Sequence, residues 1–203
     1  MTRFVLVRHG QTAWNQVERF RGRADLPLDE TGLAQAAATG RRIAHEWPPA
    51  AVYTSPMPRA VQTGQAIAES LGLAIQRHNG LQDIDFGEWQ GLTPDEARLR
   101  WPEMVATWYR APHTARPSGG ETLADLRSRA VAMLDELCAR HAGQTVVMVG
   151  HTVINRVILL AVLGLGNEHF WRLAQDTCAI NVFEREDGVY YLIKLNDTCH
   201  LSS

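Results

Sequence analysis

The chain has 203 residues, 45% hydrophobic and 21% charged, with a formal net charge of −2. That composition suits a globular protein able to bury a sizeable core without disulfide or metal staples. It excludes bulk attraction to nucleic acid or to an anionic membrane surface, so any anion must be met by a local cluster of arginines.

In chain order, the apolar run at 4–9 predicts a strand, yet it ends in Arg8-His9-Gly10. Residues 31–47 carry Leu33, Ala36, Ala37, Ile43, Ala44 and Trp47 on one helical stripe, closed by Pro48-Pro49. A strand at 51–55 leads to a helix that Pro58 opens and that runs to about Leu71, with Val61, Ile67, Ala68 and Leu71 inward. After a strand at 73–77 the chain changes character. The stretch from about 80 to 120 holds three of the six tryptophans, several prolines, and Gly87, Gly91, Gly119 and Gly120, and reads as an insertion or lid over the strand ends. Thr122 and Asp125 make a capping pair for a helix that buries Leu123, Leu126, Ala130, Met133, Leu134 and Leu137. The run at 145–150 is apolar with little alternation, as a central strand covered on both faces should be. The helix from about 153 to 163 is apolar nearly all round, hence buried. Strands at 180–185 and 189–195 flank Glu186-Asp187-Gly188, a hairpin signal. Strands alternating with helices predict a sandwiched α/β sheet.

Cys138, Cys178 and Cys199 are far apart and show no C-x-x-C spacing, which suggests neither a disulfide framework nor a zinc site but reduced thiols in a cytoplasmic protein. Cys199-His200 has no partner at ligand spacing, so packing or hydrogen bonding at the chain end is the better reading. The N-terminal run meets Arg8 too early for a signal-peptide core, and the longest apolar run, 157–166, is too short to span a bilayer.

In an open α/β sheet, ligands bind at the carboxyl ends of the strands. Three such ends carry cations: Arg8-His9-Gly10, then Arg59 just inside the helix after 51–55, then Gly150-His151-Thr152. Singly, each has an ordinary reading as a structural histidine, a solvated arginine or a helix cap. Jointly they place two arginines and two histidines on one rim, and guanidinium forks with helix N-termini make a phosphate site. Gly10 is expected to let the chain turn close to the bound phosphate.

The stretches RHGQTAWN, LPLDETGLAQA, SPMPRAVQT, DFGEWQG, GGET and VGHT occur in this order and resemble the motifs of the histidine phosphatase superfamily, the phosphoglycerate-mutase-like group. The resemblance spans essentially the whole chain. It implies an α/β fold, a three-layer α/β/α sandwich with a mostly parallel central sheet, formed by a single domain over 1–203 with a short lid at about 80–120. It also implies that His9 is a nucleophile that becomes phosphohistidine. Arg8, Arg59 and His151 would bind the phosphoryl group with Asn15 in support, and no metal or other cofactor would be needed. An imidazole attacks only when neutral, and neighbouring arginines lower its pKa from about 6.5. Thr152 stands where many relatives have glycine; its N–H can face the phosphate and its hydroxyl can cap the helix.

The leaving alkoxide needs a proton from a carboxylic acid. Asp83 stands where the family usually has a glutamate, one methylene longer, a difference in reach of roughly 1.5 Å; Glu88 and Asp85 are the alternatives. Arg21 replaces a common glutamine and either favours acidic substrates from the mouth or is a solvated loop arginine. Phe86 stands where phosphoserine-specific relatives have a histidine, which argues against strict phosphoserine specificity. Trp89, Trp101, Trp108 and Trp171 either line a pocket for a larger leaving group or pack the lid.

Mutases of the family typically carry a longer insertion with extra basic residues before the segment matching 118–122; here 108–122 is short and offers only Arg110, His113 and Arg116, which favours a phosphatase over a mutase. The expected function is a metal-independent phosphomonoesterase acting on a small phosphorylated metabolite such as α-ribazole 5'-phosphate or phosphoserine. The alternatives are a phosphoglycerate mutase and a non-catalytic phosphate-binding module. No nucleic-acid or membrane partner is expected. A homodimer through an edge strand or the C-terminal helix region is compatible with the family.

Overall fold

The computed structural model describes residues 1–15 and 17–201; Gln16, Ser202 and Ser203 lie outside the described residues. Six strands, β1 (Thr2–Arg8), β2 (Ala51–Thr54), β3 (Ile75–Arg77), β4 (Thr145–Gly150), β5 (Ile180–Glu186) and β6 (Val189–Asp197), form one sheet in the order β3-β2-β4-β1-β5-β6. β1, β2, β3 and β4 run parallel, while β5 and β6 form the hairpin and pair antiparallel to β1 and to each other. The sheet is mostly parallel and flanked by helices on both faces, as the sequence implies.

The two-residue period of a strand distributes its side chains between two cores. Phe4, Leu6, Tyr53, Val146, Met148 and Phe183 join a large cluster with α5 (Leu123–Arg140) and α6 (Thr152–Val162). Val5, Val7, Val52, Val147, Val149 and Val182 face the other way, onto α1 (Glu30–Glu46) and α2 (Pro58–Glu69). Each such fully buried aliphatic or aromatic side chain contributes about 1.5–3 kcal/mol.

All six core positions expected on α5 are buried, and Thr122 and Asp125 form the reciprocal capping box. The stripe expected on α1 is partly misplaced. Leu33 is half-exposed, while Gly32, Ala36, Thr39, Gly40 and Ile43 are buried. The reason is close backbone approach: a Cβ on Gly32 would collide with the carbonyl oxygen of Gln11, and one on Gly40 would stand 2.7 Å from that of Ala66. Helix α1 docks by its small residues, which turns Leu33 outward. Strand β3 is shorter than expected because the N–H of Leu73 closes the end of α2 on the carbonyl of Ala68.

Between β3 and α5 the chain forms 3₁₀ turns at Asn79–Leu81, Gly87–Trp89 and Pro112–Thr114, and two short helices, α3 (Pro94–Arg100) and α4 (Pro102–Arg110). Proline opens both helices, and Thr93 with Glu96 forms a capping box on α3. Ile84, Phe86, Trp89, Ala97, Val105 and Trp108 bury into the same cluster as α5 and α6. The segment is therefore tied down by apolar packing at its base. No helix among the described residues is long and apolar enough to cross a membrane.

Candidate active site

The carboxyl ends of β1, β2 and β4 lie side by side, because β4 sits between β2 and β1. Their polar termini therefore converge. His9 follows β1, Ser55 follows β2 and His151 follows β4, and Arg59 reaches them from the second residue of α2.

The Nδ1 of His9 lies 2.7 Å from the carbonyl oxygen of Gly10. That acceptor fixes the proton on Nδ1 and leaves the Nε2 lone pair facing the site. The Nε–H of Arg59 is shared between His9 Nε2 at 3.3 Å and His151 Nδ1 at 3.2 Å. The other ring nitrogen of His151 donates to Ser55 Oγ at 2.8 Å. The two imidazole centroids are 5.1 Å apart. Arg59 is held by its far end, donating Nη1–H to Ala24 O and Nη2–H to Gly22 O, both at 2.7 Å. Arg8 donates to Gln175 O at 2.6 Å.

These groups are buried, and burial dominates their electrostatics. Desolvation, then the charges of Arg59 and Arg8, push the pKa of His9 well below the ordinary imidazole value. Desolvation and Arg59 do the same to His151. Both rings are neutral at physiological pH. Burial also lowers the guanidinium pKa of Arg8 to about 9 and that of Arg59 to about 10, which leaves both charged at neutral pH. Two desolvated cations beside two neutral imidazoles favour an incoming anion.

Asp83, in the loop after β3, is the buried carboxyl at this cluster. Its Oδ2 is 4.0 Å from Arg59 Nη2, and its Oδ1 is buried without a hydrogen-bond partner among the described residues. Burial raises its pKa, while Arg59 and the N–H of Ile84 pull it back. A carboxyl so balanced can hold a proton and release one. Its loop is braced by charge: Arg129 donates to Asp83 O at 3.2 Å and pairs with Glu121, and Glu121 and Asp85 both pair with Arg23.

A cavity of about 230 Å³ opens above His9 and Asp83, and Thr152 and Arg21 also line it. Arg21 donates to Trp14 O at 3.2 Å. Of the four tryptophans singled out, Trp108 and Trp171 line the cavity, whereas Trp89 is in the core and Trp101 packs against it. Phe86 also lines it.

Asn15, like Arg8, Arg59 and His151, is not among the residues lining the cavity; its Oδ1 accepts from the N–H and hydroxyl of Thr12 and closes the turn after β1. Glu88 is exposed and outside the cavity. Asp85 accepts from Gly87 N and pairs with Arg23, anchoring its loop. Thr152 occupies the first turn of α6, whose N-cap is His151 with no side-chain cap bond. Gly10 is required by packing: a Cβ there would stand 2.6 Å from Gly32 O, and its N–H donates to Thr63 Oγ1. His200 bonds Thr39 through Nε2, and no metal-holding group of three or more His, Cys, Asp or Glu occurs among the described residues. Sequence reasoning missed Ser55, Gln175 and Arg156. A serine after a strand and an arginine inside an apolar helix carry no signal until the fold brings the first to His151 and the second to the cavity.

Residues 4–198 match the model of the histidine phosphatase superfamily, branch 1. The chain is similar to phosphoserine phosphatase 1 of Hydrogenobacter thermophilus, at 35% identity over 201 residues, covering 99% of this chain and 95% of the relative. It is also similar to the 2,3-bisphosphoglycerate-dependent phosphoglycerate mutase of Methylobacterium radiotolerans, at 35% identity over 167 residues and 79% of each chain. The solved structure of Bacillus stearothermophilus YhfR superposes on it with a TM-score of 0.93, at 31% identity and over 100% of both chains.

Proposed function

The chain belongs to the histidine phosphatase superfamily and is a phosphatase, and from that premise we propose a metal-independent phosphomonoesterase working through phosphohistidine at His9. The observation that carries this reading is the single N–H of Arg59 shared between His9 Nε2 and His151 Nδ1, which marks the spot where a phosphoryl oxygen would dock.

In this mechanism the His9 Nε2 lone pair attacks phosphorus in line, and the bond to the leaving alkoxide breaks. The Gly10 carbonyl holds the attacking tautomer. Arg59 and Arg8 take the charge on the equatorial oxygens, His151 joins them once the dianion displaces its bond to Arg59 and draws a proton onto Nδ1, and the first turn of α6 at Thr152 adds its positive end. Asp83 gives its proton to the alkoxide. As carboxylate it then takes a proton from the water that attacks phosphohistidine, so phosphate leaves and His9 is restored. The substrate is a small phosphorylated metabolite, and phosphoserine is one candidate through the name of the Hydrogenobacter relative.

The test is turnover of p-nitrophenyl phosphate in excess EDTA, with acid-labile phosphate trapped on the protein. His9→Ala is expected to lose turnover by more than about a thousandfold and to trap no label. Full turnover by that variant would overturn the reading. A mutase is the second reading, favoured by the Methylobacterium relative. Interconversion of 3- and 2-phosphoglycerate outpacing phosphate release would establish it. The non-catalytic module, the third alternative, is set aside by membership in a phosphatase family with phosphatase relatives.

We place the protein in the cytoplasm, in keeping with three free thiols. A homodimer through the edge strand β6 is supported by Val189, Tyr191, Ile193 and Leu195, which alternate along it and are exposed. Sedimentation of Tyr191→Lys as a monomer, against a wild-type dimer, tests this.

A further inference from the structure

The cavity is larger than a phosphoryl group needs, and the surplus has a consistent character. Phe20, Phe86, Trp108, Tyr109, Phe170 and Trp171 line it together with a few charged groups. Trp171 is locked in place, since its Nε1–H donates to Trp108 O at 3.0 Å and its ring stacks on Tyr109 at 5.4 Å and meets Trp108 edge-on at 5.9 Å.

Arg156 stands on α6 one turn after Thr152, on the same face, and also lines the cavity. Its Nε–H is committed to Leu173 O at 2.7 Å, and its guanidinium lies 5.0 Å from the centre of Phe170 and 5.2 Å from that of Trp171. Among the described residues, neither Nη group has a hydrogen-bond or ion-pair partner. The other cations on the wall are engaged, Arg19 with Gly91 O and Glu96 and Arg21 with Trp14 O. Asp176 is a carboxylate whose charge reaches Arg156, but it stands outside ion-pair distance and accepts from Asn196, so Arg156 is a fork whose stem is fixed and whose two terminal groups are available, mounted on aromatic rings at the edge of an apolar wall. A planar ring stacks on such a wall, and a carboxylate takes two parallel bonds from such a fork.

We propose that Arg156 and Trp171 form a leaving-group subsite that selects phosphomonoesters whose alcohol carries a planar ring with a carboxylate at its far end. The proposal rests on the phosphatase reading and assigns the substrate class to it. Arg156 is then a specificity-determining residue, whereas an arginine that merely tied the 167–172 turn to α6 would serve every substrate alike.

Ethyl, benzyl and 4-carboxybenzyl phosphate share a primary alkoxide leaving group, so their differences report recognition. For the wild-type enzyme, kcat/KM is expected to rise in that order, chiefly through KM. Arg156→Gln is expected to collapse the ratio of carboxybenzyl to benzyl phosphate by about tenfold, the scale of one charged hydrogen-bonded contact. Arg156→Lys should restore part of that ratio. Trp171→Ala, at a partly exposed position, should bring benzyl phosphate down toward ethyl phosphate. In parallel, phenethylphosphonate and its 4-carboxy derivative, which cannot be hydrolysed, are titrated against tryptophan fluorescence, and the same tenfold preference is expected in Kd. A wild-type ratio near one in both turnover and binding, or an Arg156→Gln variant that loses both substrates equally, overturns the subsite. If no ester is hydrolysed, the phosphatase reading fails while the phosphonate ratio still decides the subsite.

Discussion

At the floor of the site, His9 lines the cavity and Arg8, Arg59 and His151 are buried around it, and the two arginines are anchored on main-chain carbonyls of Gln175, Gly22 and Ala24. At the mouth, Arg21 and Arg156 are partly exposed and share the wall with Trp108, Tyr109 and Trp171. The floor is specified by backbone, because strand ends and carbonyls leave few ways to place its side chains. The mouth is specified by side chains drawn from the turn after β1, from α4, from α6 and from the 167–172 turn. The first can be common to enzymes with different substrates, while the second can change without disturbing it.

The sharpest attack on this contrast is at Asp83, which joins floor to mouth. Asp83→Asn is expected to slow hydrolysis of alkyl phosphates by about 10²–10⁴-fold. It should leave p-nitrophenyl phosphate far less affected, since that leaving group departs without a proton. Equal losses on both would mean that Asp83 does not act as the acid. In the wild-type enzyme the alkaline limb of kcat/KM for alkyl phosphates should lie above the ordinary carboxylate range, because burial raises this carboxyl's pKa and the acid works only while protonated.

Next in size is Gly32→Ala, which presses on the backbone behind the floor. With Gln11 O in the way of the new methyl group, overpacking should cost about 1–3 kcal/mol of stability in denaturant titrations. An unchanged midpoint would show that the floor is not held by main-chain contact. The pH dependence of stability follows. His9 and His151 have lowered folded-state pKa values, so as the pH falls below about 6.5 the unfolded chain takes up protons that the folded chain refuses. Stability is expected to fall by about 1.4 kcal/mol per pH unit for each ring, and His151→Asn should remove about half of that slope. The smallest effect is expected from Arg21→Ala at the mouth. A severalfold rise in KM for acidic substrates, with kcat nearly unchanged, would separate it from the floor; a large fall in kcat would merge the two regions.

Much of the floor was legible because it is written in local chemistry. Arg8-His9, Arg59 and His151 stand where apolar strands give way to helix starts, and the capping box at Thr122 and Asp125 is a four-residue signal. What escaped depends on distant packing. Leu33 reads as core by period, yet α1 docks by glycine and alanine against Gln11 and Ala66, contacts that no window of 17 residues contains. The helices α3 and α4 are too short for a period to declare itself. Arg156 looks like an odd charge in an apolar helix until Phe170 and Trp171 return beside it from the turn that follows. Gly10 was legible as a necessity, while its close approach to Gly32 on α1 was not.

Cys178 offers a way to watch the floor open. Its backbone takes φ 54°, and its N–H points at the carbonyls of Arg8 at 3.1 Å and His9 at 3.3 Å. Burial pushes its thiol up to about 12, and the side chain is wholly covered. Cys199 is exposed and Cys138 partly so. A maleimide pulse at neutral pH should therefore mark Cys199 first, Cys138 later, and Cys178 only in molecules in which the end of β1 has come undone. The third label is a molecular clock on the excursions of His9 from its place.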